Sequence, residues 1–147
     1  MKRFVAVLAV GAALSGLGVA GAAQATAQTT GTVATPSATT CAYGPVGIVR
    51  NQVCVTVDGG LVSAAGYSTP ARSDWIPQSV SYSLNLGITG GVPLETENLT
   101  GIVPRGGLAV GYVASTVPCG SSVTATLQTV RQGWPPATAT VTVPVTC

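Results

Sequence analysis

Residues 78–89 alternate from Val80 onward between apolar residues and polar or small ones, and this pattern constrains the fold more than any other feature of the chain. Apolar residues occupy alternate positions from 80 to 88, with Ser, Asn, Gly and Thr around them. A period of two is typical of a β-strand with one face on a core and the other in water. We find no stretch with the 3.6-residue spacing of an amphipathic helix, and Gly, Pro and Thr recur throughout. The sequence therefore predicts an all-β protein.

Other β-branched or alternating runs are separated by turn signals at short intervals. Asp58-Gly59-Gly60 is a hairpin signal between two of these runs. The run at 108–117 is more uniformly apolar, which predicts a central strand. The spacing of runs and turns predicts an Ig-like antiparallel β-sandwich of about seven strands. The runs besides 78–89 are 52–57, 61–67, 108–117, 123–131 and 137–147.

The four cysteines predict two disulfides, because paired cysteines are typical of small exported domains. If the last two runs form a hairpin about the turn at 132–136, Cys147 lies opposite Ser122, a short loop away from Cys119. Closure of that hairpin pairs two cysteines, and elimination pairs the other two. The predicted disulfides are Cys119–Cys147 and Cys41–Cys54.

The N-terminal segment has the layout of a secretory signal peptide. Lys2 and Arg3 precede an apolar stretch that ends in small residues, which predicts a signal peptide at 1–25 with cleavage after Ala25 or Ala27. We therefore expect a secreted, extracellular protein, and the scarcity of Lys is typical of a bacterium with a high-GC genome. Residues 26–40 are rich in Thr and Ala and uncharged, which predicts a flexible arm before a β-sandwich domain at 41–147.

The charge and residue composition argue against several classes of function. The chain has no His and no Lys after Lys2, so it lacks the usual proton-transfer groups of enzymes, and we expect no catalysis. Lys2 and Arg3 account for the net charge of +2, so the remainder is neutral and lacks the basic surface that nucleic acids or anionic membranes attract. With the cysteines in disulfides, no soft ligand set remains, so we expect no metal and no cofactor.

Glu95 and Glu97 are two residues apart, so in a strand both side chains lie on one face. Paired carboxylates hydrolyse glycosidic bonds in many enzymes. Here they lie in an apparent loop or edge strand without nearby aromatic residues, which favours an acidic edge that discourages strand pairing.

Arg105 lies between Pro104 and a Gly-Gly pair, which predicts an exposed turn. One interpretation is a reactive loop that presents Arg105 to a trypsin-like protease. The other is an ordinary turn with a solubilising charge.

Trp75 and Trp134 are each next to prolines and outside the clear strands. Exposed tryptophans anchor interfaces or stack on sugars, although tryptophans also cap the open ends of sandwiches. Arg72, Asp74 and Trp75 form the most site-like cluster in the sequence.

Threonines alternate on the last run, and a flat array of hydroxyl groups orders water or ice in some proteins. The simpler interpretation is that Thr suits the solvent face of a strand. The residues concerned are Thr138, Thr140 and Thr142, with Thr124, Thr126 and Thr129 nearby.

Two resemblances concern the layout of the whole chain. The short first and longer second cysteine loops resemble those of the bacterial subtilisin-inhibitor family, but the helix and reactive loop of that family are not found in this sequence. The order of signal peptide, arm and two-disulfide β domain is similar to small secreted adaptor subunits of actinobacterial antagonistic particles, such as the umbrella toxins. The second resemblance implies that the extended N-terminal segment docks onto a partner.

We therefore expect a non-catalytic binding module that engages an extracellular protein partner through its N-terminal arm and one sheet edge, since an extended strand can add to an exposed edge. The alternatives are a protease inhibitor that presents Arg105 and a carbohydrate-binding module that uses Trp75 or Trp134 to bind a glycan.

Overall fold

Eight antiparallel strands account for most of residues 36–147, the part of the chain that the computed structural model describes. One sheet has the order β1-β2-β3-β6 and the other β5-β4-β7-β8. Residues 36–147 contain no helix, and thus none long and apolar enough to cross a membrane. The strands are β1 (Ala38–Tyr43), β2 (Val49–Asp58), β3 (Leu61–Pro70), β4 (Gln78–Ile88), β5 (Pro93–Val103), β6 (Leu108–Thr116), β7 (Ser122–Val130) and β8 (Ala137–Pro144).

The topology is Ig-like, and the predicted fold class is confirmed. Strands β2, β3 and β6 follow the order of strands A, B and E of an immunoglobulin domain, and β4, β7 and β8 follow C, F and G. Strand β5 extends the second sheet beside β4. Strand β1 is added outside β2, which gives eight strands instead of the expected seven or so. Both predicted disulfides, Cys41–Cys54 and Cys119–Cys147, are present.

The core lies between the sheets and consists mainly of valine. Val80, Tyr82, Leu84 and Leu86 of β4 are buried, as the alternation predicts, and Ile88 packs partly buried against them. The same period of two places the buried residues of β2 and β7 on the inner faces. Branched side chains suit these positions because they pack well on a pleated surface.

Strand β1 includes three residues that the sequence analysis assigned to the arm. Ala38, Thr39 and Thr40 belong to the sheet, where they pair with Val57, Thr56 and Val55. The β-branched threonines suit a strand, and the Cys41–Cys54 disulfide holds the strand against β2. The predicted signal peptide and arm residues 26–35 lie outside the described residues.

Strand β6 is an edge strand, so its prediction as a central strand was wrong. Only Val110 and Val113 are buried within it, while Tyr112 is 64% exposed. The apolar character of the run comes largely from small residues on the outer face, and a bulge between the pairings of Tyr112 and Val110 leaves Gly111 unpaired.

The register of β7 and β8 also differs from the expected one. Ser122 lies opposite Pro144, three residues from the expected Cys147. The reason is the turn, which closes early through a hydrogen bond of 3.1 Å from the Trp134 N–H to the Arg131 carbonyl. Cys147 still reaches Cys119, because the Val145 N–H bonds to the Ser121 carbonyl at 2.8 Å and holds the chain end alongside.

The sandwich has two distinct ends. We call one the loop end, which is formed by the connections at 44–48, 71–77, 104–107 and 131–136. The other is the disulfide end, which contains the turns at 59–60 and 89–92, the loop at 117–121 and the Cys119–Cys147 bridge. The chain enters β1 at the disulfide end, since Ala38 pairs with Val57.

Candidate binding site at the loop end

All five residues that the sequence selected lie at the loop end. Arg72, Asp74 and Trp75 are on the β3–β4 loop, Arg105 is on the β5–β6 turn, and Trp134 is on the β7–β8 loop. The β3–β4 and β7–β8 loops correspond to the B–C and F–G loops, which carry the antigen-binding residues of antibody variable domains. Local turn signals selected these residues, and the Ig-like topology brings them together.

Four of the five line one groove of about 220 Å³. Arg105 lies outside it and lines a neighbouring depression with Arg72 and Trp75. Ile76 and Arg131, which the sequence analysis did not select, also line the groove. Ile76 is 71% exposed, and its position between Trp75 and Pro77, outside any alternating run, is the sequence signal that could have identified it. The groove residues are Gly47, Ile48, Arg72, Asp74, Trp75, Ile76, Gln78, Arg131 and Trp134.

The two tryptophans differ in their surroundings. Trp75 is only 7% exposed, and its Nε1–H donates a hydrogen bond of 2.8 Å to the Val103 carbonyl. Its ring fills the open end of the sandwich and forms the floor of the groove. Trp134 is 52% exposed, and the guanidinium of Arg131 lies 5.7 Å from the centre of its ring. This distance allows a cation–π interaction, which orients the exposed ring.

Arg72 and Asp74 form an ion pair at the rim of the groove. The Arg72 Nε–H and Nη2–H donate to the two carboxylate oxygens of Asp74 at 3.0 and 3.2 Å. Both side chains are well exposed, at 77% and 68%. An exposed pair of this kind contributes little to stability, about 0–1 kcal/mol. The ion pair neutralises the charge of Arg72 and leaves the other arginines available to interact with other charged groups.

Residues 36–147 contain equal numbers of arginines and carboxylates, but most of the carboxylates lie away from the arginines. Arg50, at the start of β2, joins Arg72, Arg105 and Arg131 at the loop end, so all the arginines of residues 36–147 lie there. Among these described residues, Arg72–Asp74 is the only ion pair within 4.0 Å. The other carboxylates lie elsewhere. Asp58 is at the disulfide end, and Glu95 and Glu97 are in the half of β5 nearer to that end.

Glu95 and Glu97 lie on edge strand β5, on the face shared with the inward-pointing Leu86 and Leu84. The Glu97 Oε2 accepts a hydrogen bond of 2.7 Å from the Tyr112 N–H, next to the bulge in β6. Inward-pointing charges at a sheet edge discourage pairing with other chains. Glu97 therefore links the edges of the two sheets.

The threonine array also includes Thr89 of the β4–β5 turn, whose hydroxyl oxygen lies 2.9 Å from that of Thr124. Hydroxyl oxygens of Thr124 and Thr142 are 2.9 Å apart, and those of Thr126 and Thr140 are 3.3 Å apart. Thr129 does not belong to this array, because it is fully buried and its hydroxyl donates to Asn51. The face itself is the solvent side of the second sheet.

A metal site in residues 36–147 would need a group of His, Cys, Asp or Glu side chains. No group of three or more His, Cys, Asp or Glu residues among them is arranged to hold a metal ion. Comparisons with protein-family models, curated proteins and solved structures gave no significant match.

Proposed function

We propose that this domain is a non-catalytic extracellular module whose loop end binds a protein partner. The observation that carries the proposal is the groove, where Trp134 and Ile76 are exposed beside Arg131 over a floor of buried Trp75. Tryptophan and arginine are the residues most enriched at the energetic centres of protein interfaces. Strands anchor both ends of all four loops, which limits the entropy that the loops lose when a partner binds.

The charges at this end favour an acidic partner surface. Arg50, Arg105 and Arg131 have no carboxylate within 4.0 Å among the described residues, and Arg50 and Arg105 are exposed. Complementary charges accelerate association and exclude wrong partners more than they raise affinity. We therefore expect binding to slow as the salt concentration rises.

An adaptor role needs a second contact, and β1 is a suitable place for it. This strand is the outer member of its sheet, with β2 as its strand neighbour, and an added strand could pair with its free edge. The chain enters β1 at the disulfide end, so a partner of the N-terminal segment and a partner of the loop end need not compete. The two disulfides are compatible with an extracellular location.

The two alternatives receive less support. Arg105 lies in a tight turn, closed by a hydrogen bond of 3.0 Å from the Gly107 N–H to the Pro104 carbonyl, whereas a protease inhibitor presents an extended segment. A sugar platform at the loop end has one exposed tryptophan only, since the Trp75 ring is buried among the described residues.

Site-specific photo-crosslinking tests the loop end. A photoreactive residue replaces exposed Gln132 at the loop end or, as a matched control, Val92 at the disulfide end, which is 78% exposed. Each protein is incubated with culture supernatant of the producing cells, and crosslinked proteins are identified by mass spectrometry. We expect the photoreactive residue at position 132 to crosslink one partner protein. This crosslink should be lost when Trp134→Ala and Ile76→Ser are introduced together into the same protein.

Two outcomes would contradict the proposal. One is that position 132 crosslinks no protein, and the other is that the double variant crosslinks the same partner equally well. Thermal unfolding of the double variant serves as the folding control, because both replaced side chains are largely exposed.

A further inference from the structure

Three of the four tyrosines lie exposed on the outer face of the first sheet. Tyr43, Tyr67 and Tyr112 are on strands β1, β3 and β6, and their exposed fractions are 66%, 37% and 64%. The fourth, Tyr82, is buried in the core. We call the surface defined by Tyr43, Tyr67 and Tyr112 the tyrosine face. It is separate from the loop-end groove, because none of these tyrosines lines that groove.

The register fixes the spacing of the tyrosines. Tyr43 pairs with Gln52, and Gln52 pairs with Tyr67, so two strand spacings separate the backbones of the tyrosines, about 10 Å. Tyr112 pairs with Ala65, which places it diagonally from Tyr67, about 7–8 Å away. The aromatic rings are therefore spread over four strands and do not pack as a single cluster.

Covalent and hydrogen bonds hold the tyrosine face in place. The Cys41–Cys54 disulfide joins β1 to β2 on this face, in the row of paired residues that ends at Tyr112. The Tyr67 hydroxyl donates a hydrogen bond of 2.7 Å to the Gly106 carbonyl, and the Glu97 carboxylate anchors the Tyr112 backbone. The ring of Tyr67 and the backbone that carries the other two tyrosines are therefore in place before a ligand binds.

The area between the tyrosines is uncharged. Gln52, Thr56, Ser63, Ala65 and Ala114 fill the outer positions of the neighbouring strands, and Arg50 and Asp58 lie beyond them at the two ends of β2. The face thus combines aromatic rings with amide and hydroxyl groups. This combination suits a ligand with flat C–H surfaces and many hydroxyl groups, because C–H groups contact the negative face of an aromatic ring favourably.

We propose that the tyrosine face binds an extended, uncharged polysaccharide. Sugar rings would stack on Tyr43 and Tyr67. The backbones of these residues are about 10 Å apart, which is comparable to the length of a disaccharide repeat. Gln52 lies between them and would form hydrogen bonds with the sugar hydroxyls. The tyrosine face is uncharged, as is the proposed polysaccharide. We prefer a polysaccharide to a protein for this reason, since the arginines that would pair with an acidic protein lie at the loop end. This binding is independent of the partner proposed above.

Depletion assays on microcrystalline cellulose and on chitin test this proposal. The probes are the two polymers, and the proteins are the wild type and a variant with Tyr43→Ala and Tyr67→Ala. We expect the wild type to bind at least one polymer and the variant to bind it at least about fivefold more weakly, because both stacking rings are lost. Leu61→Ala, an exposed apolar residue on the same sheet, and Trp134→Ala are controls that should retain binding.

Several results would overturn the proposal. They are a wild type that binds neither polymer, a tyrosine variant that binds as well as the wild type, and loss of binding in Trp134→Ala instead. The last would assign glycan binding to the loop end. Circular dichroism of each variant checks that the fold is intact.

Discussion

Asn51 links the two sheets directly beneath the loop end, where its Nδ2–H donates a hydrogen bond of 2.9 Å to the carbonyl oxygen of Ala137. Its Oδ1 accepts hydrogen bonds from the hydroxyls of Ser68 and Thr129. The three side chains are fully buried, and they are the buried polar residues of the described part of the chain. Because every member has a partner, the cluster fixes how the two sheets sit against each other under the groove.

Replacing Asn51 should therefore be costly. We expect Asn51→Leu to lower the free energy of unfolding by about 3 kcal/mol, because two buried hydroxyls lose their acceptor and a buried carbonyl loses a donor. Urea denaturation measures the change. Asn85→Ala is the matched control, since Asn85 is half-buried on the solvent side of β4 and should cost less than about 1 kcal/mol. Equal costs for the two variants would show that the cluster is unimportant.

Replacing the two tryptophans should change stability to very different extents, because one is buried and the other is exposed. Trp75→Ala removes a buried ring and should cost about 3–5 kcal/mol. Trp75→Phe keeps most of the ring but leaves the Val103 carbonyl without its donor, and we expect about 1–3 kcal/mol. Trp134→Ala should change stability by less than about 0.5 kcal/mol, as expected for a surface position. Thermal denaturation of the three variants checks the order, and a large loss in Trp134→Ala would contradict it.

Tyr82 predicts how stability changes at alkaline pH. Burial raises the pKa of its phenol from 10.0 to about 12. The folded state therefore disfavours the phenolate, so stability is fully present below pH 10 and decreases as the pH rises through about 12. The loss should be on the order of 2 kcal/mol.

Tyr82→Phe isolates this effect. The Tyr82 hydroxyl has no hydrogen-bond partner among the described residues, so its removal should leave stability at neutral pH unchanged or slightly higher. Denaturation curves at pH 8 and pH 11 should then show a smaller alkaline loss for the variant than for the wild type. The same loss in both proteins would mean that another group causes it.

The two disulfides should contribute in different ways. The Cys41–Cys54 bridge connects β1, whose side chains are largely exposed, so replacing both cysteines with Ala should mainly loosen β1. Hydrogen exchange should increase at the amides of residues 38–43 and remain slow in β4 and β7. Replacing Cys119 and Cys147 should instead lower the global free energy of unfolding by about 3 kcal/mol, since that bridge closes a 28-residue separation. Unchanged exchange in β1 would contradict the first expectation.

Much of the fold could be predicted from neighbouring residues. The alternation at 78–89 identifies the core face of β4, and Asp58-Gly59-Gly60 identifies the β2–β3 hairpin, because both signals act over a few residues. The pairing of Cys119 with Cys147 also followed from a hairpin, although the register differed by three residues. That difference arises at Gly133, whose φ of +80° lets the turn close at Trp134 before the two prolines.

The candidate site, too, could be predicted only in part from the sequence. Turn signals and residue types selected Arg72, Asp74, Trp75, Arg105 and Trp134, but they did not indicate that these residues lie at one end. Nor did they distinguish the buried Trp75 from the exposed Trp134, because burial depends on which loops pack over a side chain.

The sequence by itself determined an all-β domain with alternating faces, a neutral charge after Arg3 and two disulfides, because periodicity, composition and cysteine count are local or additive properties. Only the tertiary structure decided that β6 lies at an edge, that the arginines gather at the loop end and that three tyrosines share one face. These features depend on the order of strands in the sheets, which contacts between distant residues establish.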